Sequence, residues 1–223
     1  MESKDKITTH YRKYYDIYDH IVLKMFPFYI DMHSEMIKQI TRNKNTQIKI
    51  LELGFGTGTL TSRIIKTFPN TTIVGIDNSK KLLAEAVRKL NKSDRFIPIN
   101  ADINKLKTDK QFNIVISALA IHHLSGREKQ SLFKKLFKVL LPGGKIIIGD
   151  IVKSPKAEAW HKYLVKTMGP EGEHRWQIHK NNPTDKPSTI HDQRTWLKQA
   201  GFDHITTVNN WFNFYVFYGQ KNH

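Results

Sequence analysis

Apolar residues along this chain recur in two rhythms, and their alternation predicts an α/β fold. Near the N-terminus Tyr11, Tyr14, Tyr15, Tyr18, Val22 and Met25 fall mostly three or four apart, the stripe of one helix face. Pro27 interrupts that helix, and Ile30, Met32, Met36, Ile37 and Ile40 predict a second. From Ile48 the pattern changes to short apolar runs: IKILEL at 48–53, TIVGID at 72–77, FIPIN at 96–100, FNIVISAL at 112–119 and KIIIGD at 145–150. Such nearly continuous apolar runs suit strands buried on both faces of a parallel sheet. Helical spacing returns between them: Leu60, Ile64 and Ile65, then Leu82, Leu83, Ala86, Val87 and Leu90, then Leu132, Phe133, Leu136, Phe137 and Leu140. Asn78 and Ser79 stand where a helix over Lys80–Leu90 needs its caps. Pro142-Gly143-Gly144 ends the helix over Glu128–Leu140.

The alternation fails over residues 151–190. Pro155, Pro170, Pro183 and Pro187 punctuate a polar stretch there, which predicts a loosely packed lid. It is rich in histidine, but Glu173-His174-Arg175 and His179 match no compact ligand motif, so no metal site is expected. Thr195–Gly201 then ends a helix, with Gly201 just beyond it. Phe202–Asn210 and Trp211–Gly219, rich in aromatic and β-branched residues, predict two tightly joined strands.

The chemistry gathers at Ile48–Leu60, IKILELGFGTGTL. A buried strand carrying Glu52 meets Gly54, Gly56 and Gly58 at alternate positions, and a helix follows. Glycines admit φ > 0 and close approach of a ligand to the main chain, and the helix start offers unpaired N–H groups. The dinucleotide fingerprint G-x-G-x-x-G/A is not met, because its last position is Thr59. The order E-x-G-x-G-x-G resembles motif I of the class I S-adenosylmethionine-dependent methyltransferases. That resemblance implies that the glycines pass under the methionine part of the cofactor and that Glu52 helps to hold its ammonium. A strand-end acid about 20 residues beyond such glycines is placed to accept both ribose hydroxyls, and Asp77 with Asn78 occupies that place; the plainer alternative for Asp77 is a helix cap. By the same resemblance Asp102 bonds the adenine amino group and Ile103 packs on its ring. LLPGGK before an apolar strand also looks like these enzymes.

The resemblance covers the chain from about Ile48 onward, apart from 151–190, and is closest to small bacterial and archaeal members, some of which carry a wobble-uridine tRNA label. It implies a doubly wound, Rossmann-like α/β fold with a seven-stranded sheet whose last strand is antiparallel. Residues 1–47 then form an N-terminal helical cover and 48–150 the S-adenosylmethionine-binding core. Residues 151–190 form an inserted cap, and 191–223 a helix and hairpin completing the sheet. Helices placed like the first two often cover the cofactor cleft in such enzymes, so Tyr11 or Tyr15 either caps the cofactor or belongs to a core stripe.

The fourth strand ends in Ser117-Ala118-Leu119-Ala120-Ile121-His122-His123-Leu124, at the edge where open α/β sheets bind ligands. Ser117 is a candidate cofactor contact there, and His122 is the candidate general base, with a pKa naturally near neutrality; the alternative is that both histidines serve packing and backbone. The (Asn/Asp)-Pro-Pro-aromatic sequence of amino methyltransferases is missing, which disfavours exocyclic nitrogen as the acceptor.

Composition trims the choices. The 223 residues contain no cysteine, which excludes thiolate metal sites and a cysteine nucleophile. No long apolar run predicts a membrane span, and the polar N-terminus predicts no secretory signal, so the cytoplasm is the expected compartment. A net charge of +16 favours anionic partners, RNA among them. The preferred expectation is methyl transfer from S-adenosylmethionine to oxygen or carbon of a small molecule. A tRNA or rRNA methyltransferase and a non-catalytic cofactor-binding protein are the alternatives.

Overall fold

The computed structural model describes residues 18–41, 43–91 and 93–222; Tyr11 and Tyr15 lie outside the described residues. Two short helices, α1 (Tyr18–Met25) and α2 (Tyr29–Lys38), come first. Strands and helices then alternate through β1 (Ile48–Leu53), α3 (Thr59–Thr67), β2 (Thr71–Asp77), α4 (Lys80–Lys89), β3 (Phe96–Asn100), β4 (Phe112–Ala118), α5 (Gly126–Val139) and β5 (Leu140–Ile151). The cap is a helix pair, α6 (Ala157–Met168) and α7 (Pro170–Lys180), and α8 (Ile190–Ala200), β6 (Asp203–Trp211) and β7 (Phe214–Gln220) finish the chain.

The strands form one seven-stranded sheet in the order β3-β2-β1-β4-β5-β7-β6. β1 to β5 are parallel, and β7 runs antiparallel to both β5 and β6. Successive side chains of a strand point to opposite faces, so the apolar runs build two cores. Ile50, Ile114 and Ile116 meet Met36, Leu60, Ile64 and Ala86 of the helices on one face. Leu51, Leu53, Val115 and Ile146 meet Leu132, Phe133, Leu136 and Leu197 on the other. Burying a side chain of this size stabilises by about 1.5–3 kcal/mol, which is why β1 and β4 hold the centre. Local chemistry fixes the ends: Glu128 Oε2 accepts the Ser125 N–H at 2.8 Å while Ser125 Oγ accepts the Glu128 N–H at 3.4 Å, a capping box that starts α5.

Three details differ from the sequence-based expectation. Pro142-Gly143-Gly144 does not precede β5 but bulges within it: Leu140 pairs with Phe112, and the ladder resumes with Lys145 on Ile114. Trp211 ends β6 rather than beginning the last strand, because the turn falls at Phe212-Asn213, where Phe212 has a φ of 51°. The cap is not loosely packed. Trp160 is fully buried against Phe26, Phe214 and Trp176. Gly172 lies so close to α6 that a Cβ there would come within 2.1 Å of the Leu164 carbonyl oxygen. The prolines mark the ends of helices, with Pro170 at the start of α7.

Candidate active site

β1 and β4 are neighbours where the strand order reverses, so the loops after them flank the crevice at which doubly wound sheets bind ligands. Gly54, Gly56 and Gly58 all adopt left-handed backbone, with φ of 70°, 55° and 76°. A Cβ on Gly54 would come within 2.3 Å of Ala120 Cβ, so this glycine lets the loop after β4 close on the turn. A Cβ on Gly56 would meet nothing within 4 Å. The main chain is bare there, as a ligand passing over it requires. Gly58 is the N-cap of α3 and contributes no side chain to it.

The acids expected to hold the cofactor surround this turn. Asp77, at the end of β2, accepts the Gly56 N–H on Oδ2 and the Ser79 N–H on Oδ1, both at 2.9 Å. Burial raises its pKa, while the backbone N–H groups of Ser79, Gly56 and Asn78 oppose the rise. The two bonds leave carboxylate lone pairs for further donors. Asn78 beside it is exposed. Glu52 is buried beneath the turn, with its Oε2 accepting the Thr61 hydroxyl at 2.7 Å. Burial pushes its pKa up to about 8, against the bond from Thr61 and helped by the nearby charge of Asp77. Asp102 caps a short 3-10 turn by accepting the Asn104 N–H at 3.0 Å, and Ile103 packs on the α5-side core. The Ser117 hydroxyl donates to the Leu53 carbonyl at 3.0 Å, so its side chain ties β4 to β1.

Sequence alone did not disclose how α1 crosses this turn. Asp19 accepts the Thr57 hydroxyl at 2.5 Å and pairs with Lys89, whose ammonium also reaches Thr57 and Thr59 at 2.9 Å. These residues come from three separate segments, and no periodicity links them. The corner between α1 and α2 then forms an apolar pocket with the sheet edge, lined by Phe26, Phe28, Tyr29, Met32, Leu119 and Phe214. Leu119 has a φ of 50°, uncommon for a bulky residue, and its N–H is held by the Gly149 carbonyl at 2.9 Å.

His122 sits in a different setting from that of a base facing open space. It is buried, with Nδ1 2.5 Å from Asp150 Oδ1 and Nε2 3.7 Å from Asp185 Oδ1. Burial disfavours its charged form, but Asp150 and Asp185 together outweigh that and raise its pKa. His123 Nδ1 lies 3.2 Å from the same Asp185 oxygen, and His179 Nδ1 3.3 Å from the other. Asp185 belongs to the segment between α7 and α8. The backbone joins the two parts as well, the Lys186 N–H donating to the His122 carbonyl at 2.8 Å. Residues distant in sequence thus converge where the sequence showed no ligand motif.

Residues 50–144 match the family model described as "Methyltransferase domain". The chain is 30% identical over 174 residues to an uncharacterized methyltransferase of Bacillus cytotoxicus, covering 78% of this chain and 77% of that protein. The chain belongs to the class I S-adenosylmethionine-dependent methyltransferases. This methyltransferase is also 32% identical over 129 residues to malonyl-[acyl-carrier protein] O-methyltransferase of Priestia megaterium, over 56% of this chain and only 46% of that protein. Its fold matches that of N-methyltransferase NodS from Bradyrhizobium japonicum in complex with S-adenosyl-L-homocysteine, with a TM-score of 0.65, 13% identity, and 88% and 89% of the two chains covered. It also matches human N-acetylserotonin methyltransferase in complex with S-adenosylmethionine, with a TM-score of 0.62, 15% identity, and 86% and 52% covered. The bare left-handed Gly56 and the strand-end Asp77 fit the cofactor of this family. No helix among the described residues is long and apolar enough to cross a membrane.

Proposed function

We propose that this methyltransferase acts on a small, largely apolar molecule, methylating it at oxygen or carbon. The observation that carries the reading is the pocket of Phe26, Phe28, Tyr29, Met32, Leu119 and Phe214 beside the turn that approaches the glycine loop. Closed as it stands to anything much larger than a water molecule, it would have to open for an acceptor, and its lining would then offer apolar and aromatic surface rather than partners for a phosphate backbone. The relative named as a malonyl-[acyl-carrier protein] O-methyltransferase supports oxygen as the methylated atom. The cofactor supplies a sulfonium, a very good leaving group, so the protein's part is to bind, align and exclude water. In this reading Gly54, Gly56 and Gly58 carry the cofactor over bare main chain, and Asp77 accepts the ribose hydroxyls. Glu52 lies below as the acid nearest the ammonium, and Asp102 and Ile103 take the adenine.

Two measurements test this. Asp77→Ala removes charge-assisted bonds worth about 1.5–3 kcal/mol each, so calorimetry should show cofactor affinity falling at least about tenfold in a protein that stays folded. Unchanged affinity would leave Asp77 as a brace for Gly56 and Ser79 only. Labelled cofactor should transfer its methyl group to compounds in an extract passed through a small-molecule filter. Transfer to bulk tRNA instead, falling steeply with salt, would favour the RNA reading that the net charge of +16 keeps in view.

A further inference from the structure

We propose that His122, His123 and Asp185 form a site for one divalent transition-metal ion of the zinc class, which clasps the cap to the end of β4. One ligand atom from each of the three lies within 4.8 Å of the other two. Asp185 Oδ1 is 3.2 Å from His123 Nδ1 and 3.7 Å from His122 Nε2. A tetrahedral ion with bonds of about 2.0–2.1 Å spaces its ligands by about 3.3 Å, so these separations need little adjustment. His179 Nδ1 lies 3.3 Å from the other oxygen of Asp185 and orients that carboxylate, outside the set of three.

The surroundings are those of a ligand set. Asp150 grips His122 from behind: its Oδ1 is 2.5 Å from His122 Nδ1, and its Oδ2 accepts the His122 N–H at 2.9 Å. It also accepts the Ile151 N–H at 2.8 Å, which fixes its own orientation. A carboxylate behind a histidine keeps the proton on the nitrogen that faces it, here Nδ1, and leaves the lone pair of the other, Nε2, for a metal. Nε2 and Asp185 Oδ1 then face each other as two acceptors at 3.7 Å, too long for a hydrogen bond. Either a proton or a cation must lie between them. The nearby ammonium of Lys129 does not fill that place, since it donates to the Lys186 carbonyl at 2.5 Å and the Ser188 hydroxyl at 2.8 Å. Two carboxylates, buried Asp150 and half-buried Asp185, beside three imidazoles match the charge of a divalent ion. Nitrogen and oxygen donors without a thiolate suit zinc, iron(II) or nickel, whereas calcium and magnesium want oxygen alone.

The clasp has a position to act on. His122 and His123 follow Leu119, which lines the apolar pocket, and Asp185 lies in the segment that returns from the cap. The ion would join these two stretches directly. The proposal stands whatever the methyl acceptor is.

The test uses the full chain stripped by a chelator and titrated with Co²⁺, then Zn²⁺. The expected result is one ion per chain, bound at about micromolar or tighter, with visible cobalt bands of a four- or five-coordinate site that zinc abolishes. Asp185→Asn should weaken binding by at least tenfold. Asp150→Asn, which alters the carboxylate behind His122 and leaves the three ligands themselves in place, should weaken it about 10–100-fold. His174→Ala, on an exposed position of α7, should bind like the wild type. Circular dichroism reports whether each variant is folded. X-ray absorption at the zinc edge of the wild type decides without any variant: fewer than two imidazole ligands overturns the proposal. So does the lack of any binding at millimolar metal, or a folded Asp185→Asn that binds like the wild type.

Discussion

The glycine turn after β1 and the histidine cluster after β4 stand at the same end of the sheet, yet they are assembled in opposite ways. The first is local. Glu52, Gly54, Gly56, Gly58 and Thr61 lie within one strand, turn and helix; Asp77 reaches in from the next strand end, and Asp19 and Lys89 only brace Thr57 and Thr59 at its rim. The second is not: His122 and His123 leave β4, Asp150 ends β5, and His179 and Asp185 belong to the cap and its return. A local turn is organised by its own dihedrals. A distributed cluster exists only while the elements that carry it stay packed. The two regions should therefore fail separately, the turn under changes in backbone and charge, the cluster under changes in the aromatic packing of the cap.

The largest expected effect comes from the acid beneath the turn. Glu52 has a pKa of about 8, above the ordinary 4.5, because burial disfavours its charge. The folded state keeps a proton that the unfolded chain releases above pH 4.5. The stability associated with that proton is full below about 4.5 and is lost as pH rises to about 8. Without cofactor, Glu52→Gln should lack this loss, gaining on the wild type by on the order of 5 kcal/mol across the window. Denaturant midpoints at a series of pH values measure it, and parallel curves for the two proteins would show that Glu52 does not titrate this way.

Trp160→Ala tests the other region. Removing a fully buried indole from among Phe26, Phe214, Trp176 and His179 should cost about 3–5 kcal/mol. Proteolysis should then open α6 and α7 first, while affinity for S-adenosylhomocysteine changes little. Equal losses of cap protection and cofactor affinity would mean that the two regions are one cooperative unit.

The smallest difference is the most local. Gly54→Ala places a methyl group 2.3 Å from Ala120 Cβ at a φ of 70°, and left-handed backbone and overpacking together should cost about 2–4 kcal/mol. Gly56→Ala meets no neighbour and should cost only about 1–2 kcal/mol of fold stability, yet its methyl group projects into the open space the cofactor needs. Thermal melts should rank Gly54→Ala as the less stable, and calorimetry should show a marked loss of cofactor affinity for Gly56→Ala. A Gly56→Ala protein that binds the cofactor normally would show that the bare main chain is not the cradle.

The sequence alone determined the sheet, the glycine turn and the family, because each depends on residues close together in the chain. Period-two burial and period-3.6 helices are written in consecutive positions, and E-x-G-x-G-x-G needs only the φ values that glycine allows. The antiparallel seventh strand was legible in the same way, from two aromatic-rich runs with a tight join. Tertiary structure alone decided the cap and the cluster. Proline and polarity suggested a loose lid over 151–190, but they bound two helices that bury Trp160. The hold of Asp19 on Thr57 and Lys89, and the convergence of His122, His123 and Asp185, depend on which segments the topology brings into contact. A single sequence carries no local mark of such contacts, because each side chain is ordinary where it stands and acquires its role only from a partner far along the chain.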